Sequence, residues 1–501
     1  MPCISWFFPS LFLFLISLPP DLNKYLCVMK SNGWSRLRQQ AKYFFDLTGT
    51  ERLRVGALQA MPFWIASLIT GLVAVAYARL FGYSEQLLQR LLHWHRWSIF
   101  FAAPACFFGA WLIVQVWAPA ARGSGIPQVM AAIDLSRPRH EHRIRRLLSL
   151  RIILAKISSS LLMVLGGGAI GREGPTIQIA GSVFRLVNRA IPASWPRLSR
   201  QSFILTGAAA GLAAAFNTPL GGVVFAMEEL ARTHVRFFRT ALFSAVIIAG
   251  LTAQGLLGPY LYLGYPDVQG LSFSVFFGVA LTAVAAGALG SFMCRCILAI
   301  MRWKRSFNRT KTIIYLLAAG LLMASVAFFI SGDVLGSGKE LMTKTLFTPE
   351  KHLGWQLVFL RLLGPVVCFN TGGAGGIFAP ALAGGASLGS WISGLFDLTG
   401  ANANILILGG MVGFLTGVTR TPFTSAILVL EMTDRHSVIF HLMLAALLSN
   451  MAALAVDKHS FYEQLKKGYI EEALEDEPEP VAAANPETIP PPEDPGLAKP
   501  D

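Results

Sequence analysis

The sequence predicts an all-α polytopic membrane protein built from two copies of one helical motif set. Three observations carry that reading. Of 501 residues, 54% are apolar and only 14% charged, whereas a soluble chain carries about 25% charged residues. Long apolar stretches recur at 58–80, 98–121, 152–171, 203–227, 240–262, 272–301, 312–331, 403–419, 422–432 and 437–456. Several reach the roughly 20 residues a helix needs to cross a bilayer, and others are short or broken by Gly and Pro. The third observation is an internal repeat.

The first 49 residues read as an N-terminal extension. Residues 4–18 (ISWFFPSLFLFLISL) are apolar but lack a basic n-region and a small-residue cleavage site. They are either an uncleaved anchor or an upstream extension with Met29 as the true start. The second is preferred, because Lys30–Arg54 then forms a basic amphipathic cytoplasmic start. The transmembrane domain spans 50–468, in two repeats of roughly 50–260 and 270–468.

The formal net charge of +14 does not indicate a nucleic-acid partner. The cations sit in short loops between spans, at 136–151 (SRPRHEHRIRRLLSLR) and at 302–311 with Lys304, Arg305 and Arg309. Cytoplasmic loops carry that bias, and an anionic substrate is a second reason for a basic chain.

Residues 207–230, GAAAGLAAAFNTPLGGVVFAMEEL, resemble 410–433, GMVGFLTGVTRTPFTSAILVLEMT. Gly207 pairs with Gly410, Thr218-Pro219 with Thr421-Pro422, and Glu228 with Glu431. Upstream, GGGAIGREGP matches TGGAGGIFAP at 371–380, and GSGIPQVM at 123 is echoed by GSGKELMT at 336. A duplicated membrane chain with Gly/Pro-interrupted segments at corresponding places is the pattern of a transporter with a site near the midplane. The match alone leaves open whether the halves are parallel or inverted.

Three glycine-rich breaks run into Pro and then into helical sequence: Gly123-Ser124-Gly125-Ile126-Pro127, Gly171-Arg172-Glu173-Gly174-Pro175 and Gly375-Gly376-Ile377-Phe378-Ala379-Pro380. Proline suits the first turn of a helix. Each motif therefore predicts a helix N-terminus inside the protein, with free N–H groups and the positive dipole end facing inward. Such ends bind anions. A converging set holds an anion without the full positive charge that would trap it.

Glu173 stands out among the acids. A carboxylate at membrane depth is costly when ionised, so it can carry or release a proton. At a helix N-terminus it can also occupy the anion's own position. A salt bridge to Arg172 is the bland alternative, although adjacent helical residues point in different directions. Glu228 and Glu229 close the segment GGVVFAMEELAR. Glu431 at the repeat-related position supports a structural role for Glu228, whereas Glu229 faces Met432 in the match and is the candidate for something specific.

Gly166–Gly171 fits G-x-G-x-x-G, but no acid follows about 20 positions on, so it does not read as a dinucleotide site. The six cysteines, Cys3, Cys27, Cys106, Cys294, Cys296 and Cys368, show no zinc or disulfide spacing. No cofactor or metal is expected. His93 and His95 sit in LLHWHRW beside Trp94 and Trp97, an interfacial pattern. With no Ser/His pair, HExxH or metal cluster in the spans, an enzyme is not expected. Residues 469–501 read as an acidic, Pro-rich disordered tail, and 471–501 alone hold ten acids and eight prolines.

The segments GSGIP, GREGP and GGIFAP, in this order over roughly 50–468, resemble the ClC family of chloride channels and chloride/proton antiporters. The resemblance implies an inverted-repeat bundle of about eighteen short, tilted helices, a homodimer with one pathway per subunit, and a multi-pass inner-membrane location. By motif match it implies that Ser124 and Tyr462 (in HSFYEQL) supply hydroxyls to the central chloride, with backbone N–H groups of Ile377 and Phe378. Glu173 resembles the external gating glutamate, itself a chloride-site occupant, and Glu229 the internal proton-transfer glutamate. Channel members generally lack the internal acid, so Glu229 favours chloride/proton antiport over a passive chloride channel. Ser124 matches chloride-preferring members rather than nitrate-preferring ones, and fluoride exporters depart from the serine and tyrosine arrangement. Two positions depart from the common pattern: Gln128 where many members carry Glu, which bears on the inner proton route, and Ala374 where Pro is common. The paired nucleotide-binding domains of many eukaryotic members are absent from the sequence read.

Overall fold

The computed structural model describes residues 51–136, 141–192, 195, 199–231, 239–258, 261–272 and 275–475. The N-terminal extension, with its Met29 alternative, lies outside the described residues. The chain divides into Met1–Leu58 and Gln59–Asp501, and apart from the first two turns of α1 all that follows concerns the second unit.

Helix α1 (Glu51–Trp94) is followed by α2 (Ile99–Trp117), the short α3 (Ile126–Asp134) and α4 (Glu141–Leu147), α5 (Leu150–Leu165) and α6 (Glu173–Ala190). Then come α7 (Arg200–Phe216), α8 (Pro219–Phe225), which continues as a π-helical turn over Ala226–Leu230, and α9 (Arg239–Leu257). The second half holds α10 (Val275–Lys304), α11 (Arg309–Phe329), α12 (Lys339–Phe347), α13 (Trp355–Phe369) and α14 (Phe378–Leu395). It closes with α15 (Gly400–Thr419), α16 (Pro422–Thr433), α17 (Ile439–Val456) and α18 (Phe461–Glu475). Helix starts are set by local chemistry: Ser149 accepts from the Ile152 N–H, Ser199 from Ser202 and Asn308 from Lys311, each satisfying an amide left without an intrahelical partner.

Among the described residues, eight helices are long and apolar enough to cross a membrane. Most are about half buried, as expected of helices with one face on lipid, but the α15 window is 89% buried, so α15 is the central post. It packs on α10, α14 and α17. The α14–α15 crossing is close because a Cβ on Gly385 would lie 2.2 Å from the Gly410 carbonyl oxygen. Small residues serve packing in membranes for this reason.

The repeat seen in the sequence is a repeat in space. Helices α6 and α14 have 18 residues each, α3 and α12 nine each. The apolar run 203–227 is not one span: it breaks at Asn217 (φ 57°), just as its counterpart breaks at Arg420 (φ 65°). A left-handed residue followed by Thr-Pro ends one helix and starts another at both places. Gly171 and Gly376, equivalent by the repeat, are joined directly. Each donates its N–H to the other's carbonyl, both at 2.8 Å, in an antiparallel bridge. Residues equivalent by the repeat therefore meet reciprocally, as across a two-fold axis. The repeat-related α8 and α16 run antiparallel, the start of each capped by the glutamate that closes the other, which is the inverted arrangement that the sequence match left open. Helix α18 continues to Glu475, so 469–475, assigned to the tail from composition, are helical; 476–501 lie outside the described residues.

Candidate functional site

The three glycine-rich breaks converge, and backbone hydrogen bonds pin them together. Gly123 donates to the Gly373 carbonyl at 2.9 Å and accepts from Gly375 at 3.0 Å, while Gly171 and Gly376 form their reciprocal pair. Helices α3, α6 and α14 all begin at this junction. The α3 start requires a residue without a Cβ: Gly125 has φ 110°, and an added Cβ would meet the Gly174 carbonyl at 2.7 Å. Pro127, Pro175 and Pro380 fall in the three first turns. The first-turn N–H groups, including those of Ile377 and Phe378, point away from the intrahelical ladder. Both residues are fully buried.

Ser124 lies against the second break, because a Cβ on Gly174 would come within 2.2 Å of its Oγ. Tyr462, in the first turn of α18, is fully buried and places its hydroxyl beside that of Ser124. Neither hydroxyl has a hydrogen-bond partner of normal geometry among the described residues. Two buried donors at the ends of three helix dipoles suit a dehydrated anion.

Glu173 is 1% exposed. Its Oε1 accepts from the Tyr262 hydroxyl at 3.4 Å and lies 4.0 Å from Arg172 Nε, while Oε2 has no partner among the described residues. The weak approach to Arg172 does not make a tight ion pair. Oε2 folds back over the break, since a Cβ on Gly171 would touch it at 2.4 Å. Above Glu173 a cavity of about 260 Å³ is lined by Arg79, Glu85, Arg172, Tyr262 and Lys339, among others. Lys339 Nζ lies 4.7 Å over the Tyr262 ring. GSGKE, the repeat partner of GSGIP, thus contributes to this cavity rather than to the junction of the three breaks.

Glu229 is half-buried in the π-helical turn after α8. The neighbour Glu228 instead caps α16, accepting from the Phe423 and Thr424 amides. Glu228 therefore has the structural role that the repeat indicated.

Several residues that hold the site were not singled out from sequence. Lys156 on α5 is fully buried and donates to the carbonyls of Ala121 and Gly123, both at 2.8 Å. A lone lysine in the apolar run LRIILAKISSSLL was the available signal. Gln128, noted in the sequence as a departure from the family pattern, donates to the Arg122 carbonyl at 2.6 Å and to the Tyr469 hydroxyl at 3.0 Å. Burial pushes the Tyr469 phenol above its ordinary range. Glu472 pairs with Arg122, and Lys466 reaches Asp134 at 2.8 Å. Through these contacts α18, the carrier of Tyr462, is docked on the segment that carries Ser124.

A family model described as voltage gated chloride channel matches residues 105–454. The chain belongs to this family. The H(+)/Cl(−) exchange transporters ClcA of Yersinia pestis bv. Antiqua (strain Angola) and of Yersinia pseudotuberculosis serotype O:3 (strain YPIII) are each 29% identical to it over 409 residues. These matches cover 78% of this chain and 83% of each relative. In fold the chain is similar to a slow cyanobacterial Cl⁻/H⁺ antiporter, with TM-score 0.72, 21% identity, and 82% and 98% of the two chains covered. A CLC-type fluoride/proton antiporter gives TM-score 0.68, 20% identity, and 82% and 98% coverage. A eukaryotic CLC transporter gives 0.65, 19%, and 81% and 74%. The family fold is thereby the fold of this chain.

Proposed function

We propose that the protein exchanges chloride for protons across a cell membrane, the inner membrane in a two-membrane cell, as a transporter rather than an enzyme. Chloride and protons are its substrates and the lipid bilayer its solvent. The observation that carries the reading is a buried carboxylate, Glu173, where three helix N-termini converge, with a second acid, Glu229, half-buried in the π-helical turn after α8. Chloride is held by the Ser124 and Tyr462 hydroxyls and by the first-turn amides of Ile377 and Phe378. Glu173, when ionised, occupies the outer end of the path and competes with the anion. Protonation removes that competition, and the carboxyl moves toward the vestibule lined by Arg79, Arg172 and Lys339. Chloride then passes while the proton is held on the gate.

Glu229 relays the proton to the other side along a route separate from the anion. The named relatives that exchange H⁺ and Cl⁻ support this reading. A passive channel on the same scaffold is the alternative, favoured only if Glu229 plays no part. Glu229→Gln separates the two: antiport requires loss of proton movement with chloride flux retained, and a channel requires no change. Chloride is preferred over fluoride because Ser124 and Tyr462 both face the junction as hydroxyls.

We further assign a homodimer. Exposed apolar residues on the repeat-related α9 and α17, such as Phe243, Ile247, Leu251, Phe440, Leu447 and Met451, support a self-complementary face. Cross-linking in bilayers that traps only monomer would overturn the dimer.

A further inference from the structure

At the end of α6 remote from Glu173 lies a larger, half-open cavity of about 700 Å³. It is bounded by the end of α2, the short α4, the start of α5, the end of α6 and the last turns of α18. Arg145, Arg146, Arg151 and Arg189 line it and are exposed. The nearby acids are already engaged: Glu141 with Arg185 and Arg200 at 2.6 and 2.9 Å, Glu472 with Arg122. The cavity therefore carries a net positive charge. Its other wall is apolar, with Trp117 44% and Leu150 57% exposed. Both belong to membrane spans, Arg96–Trp117 and Glu141–Leu165, so the cavity sits where bilayer meets water. The arginines place it on the cytoplasmic face.

We propose that this cavity binds the headgroup of an anionic phospholipid, its phosphate among Arg145, Arg151 and Arg189 and its first acyl carbons along Trp117 and Leu150. Several guanidiniums around one volume suit an anion with several oxygens, which accepts from planar forks, better than a single spherical ion. An adjoining apolar wall open to lipid suits an amphiphile, and basic pockets between spans take anionic headgroups. The site also connects to transport. Tyr469 and Glu472 line the cavity, and the same two residues hold Gln128 and Arg122 beside Ser124. Headgroup occupancy thus bears on the position of the anion ligand.

The test is native mass spectrometry of the delipidated full-length protein, titrated with phosphatidylglycerol, phosphatidylcholine and inorganic phosphate. Wild type should retain phosphatidylglycerol at about tenfold lower concentration than phosphatidylcholine. Combining Arg145→Gln, Arg151→Gln and Arg189→Gln should abolish the preference. Arg302→Gln with Arg305→Gln, at the basic end of α10, should keep it. If the triple variant fails to fold, Arg151→Gln alone should reduce the preference severalfold. Equal retention of both lipids by wild type overturns the proposal, as does a preference that survives the cavity variants. Retention of inorganic phosphate that displaces phosphatidylglycerol also overturns it, by making the free ion the ligand.

Discussion

Glu228 and Glu431 cap each other's helices. Glu228 closes the α8 segment and accepts from the Phe423 and Thr424 amides at the start of α16, at 3.2 and 2.6 Å. Glu431 closes α16 and accepts from the Leu220 and Gly221 amides at the start of α8, at 3.0 and 2.8 Å. Each carboxylate sits on amides that have no intrahelical acceptor, at the positive end of a dipole. The last turn of each helix meets the first turn of the other, so the repeat-related pair runs antiparallel.

Removing either cap should cost stability, not coupling. Glu228→Ala and Glu431→Ala should each lose about 1 kcal/mol, read as a lower midpoint of thermal unfolding in detergent. The ratio of chloride to protons moved should stay at the wild-type value. A changed ratio in Glu228→Ala would mean that the proton route uses Glu228 as well as Glu229.

The Ser124 and Tyr462 hydroxyls should act as a pair of anion donors. A hydrogen bond to a charged group contributes about 1.5–3 kcal/mol, so Ser124→Ala and Tyr462→Phe should each weaken chloride binding by about tenfold or more. Isothermal titration with chloride measures this directly. Unchanged affinity in both variants would remove the hydroxyls from the site.

Gly174→Ala tests the packing of the junction. The new Cβ would lie 2.2 Å from Ser124 Oγ and 3.0 Å from the Ser124 carbonyl oxygen, so Ser124 must be displaced. Chloride affinity should fall by about tenfold or more. Gly255→Ala on α9 is the control, since nothing lies within 4 Å of that Cβ. It should leave transport unchanged and gain up to about 1 kcal/mol of helix stability.

The gate should give transport its pH dependence. In the proposed mechanism protonation neutralises Glu173 and frees the anion path, so chloride flux in wild type should rise as pH falls. Glu173→Gln mimics the protonated form, and its flux should be insensitive to pH and uncoupled from protons. Retained pH dependence in this variant would place the sensor elsewhere.

Much of this fold is legible in the sequence because a membrane forces simple rules on it. Spans must be apolar, and breaks at membrane depth need Gly and Pro. The three breaks therefore named the junction, and the repeat named Glu431 as the partner in kind of Glu228. What the sequence did not reveal depends on contacts between distant segments. That Gly171 meets Gly376 reciprocally, and that Tyr469 holds Gln128, follows from how α6, α14 and α18 pack, which no local pattern encodes. The run 203–227 misled because its apolar composition continues through the Asn217 break; only the left-handed backbone there divides it. The end of α18 was misplaced because Glu471 and Glu472 read as tail acids, whereas Glu472 is an ion-pair partner of Arg122.

The central claim is that chloride movement is tied to proton movement through Glu173 and Glu229. Its most direct test is purified protein in sealed liposomes, with a chloride gradient imposed and no initial proton gradient. Protons should be driven uphill in the direction opposite to chloride, and Glu229→Gln should abolish that movement while chloride flux continues. Chloride flux through the wild type with no accompanying proton movement would contradict the claim.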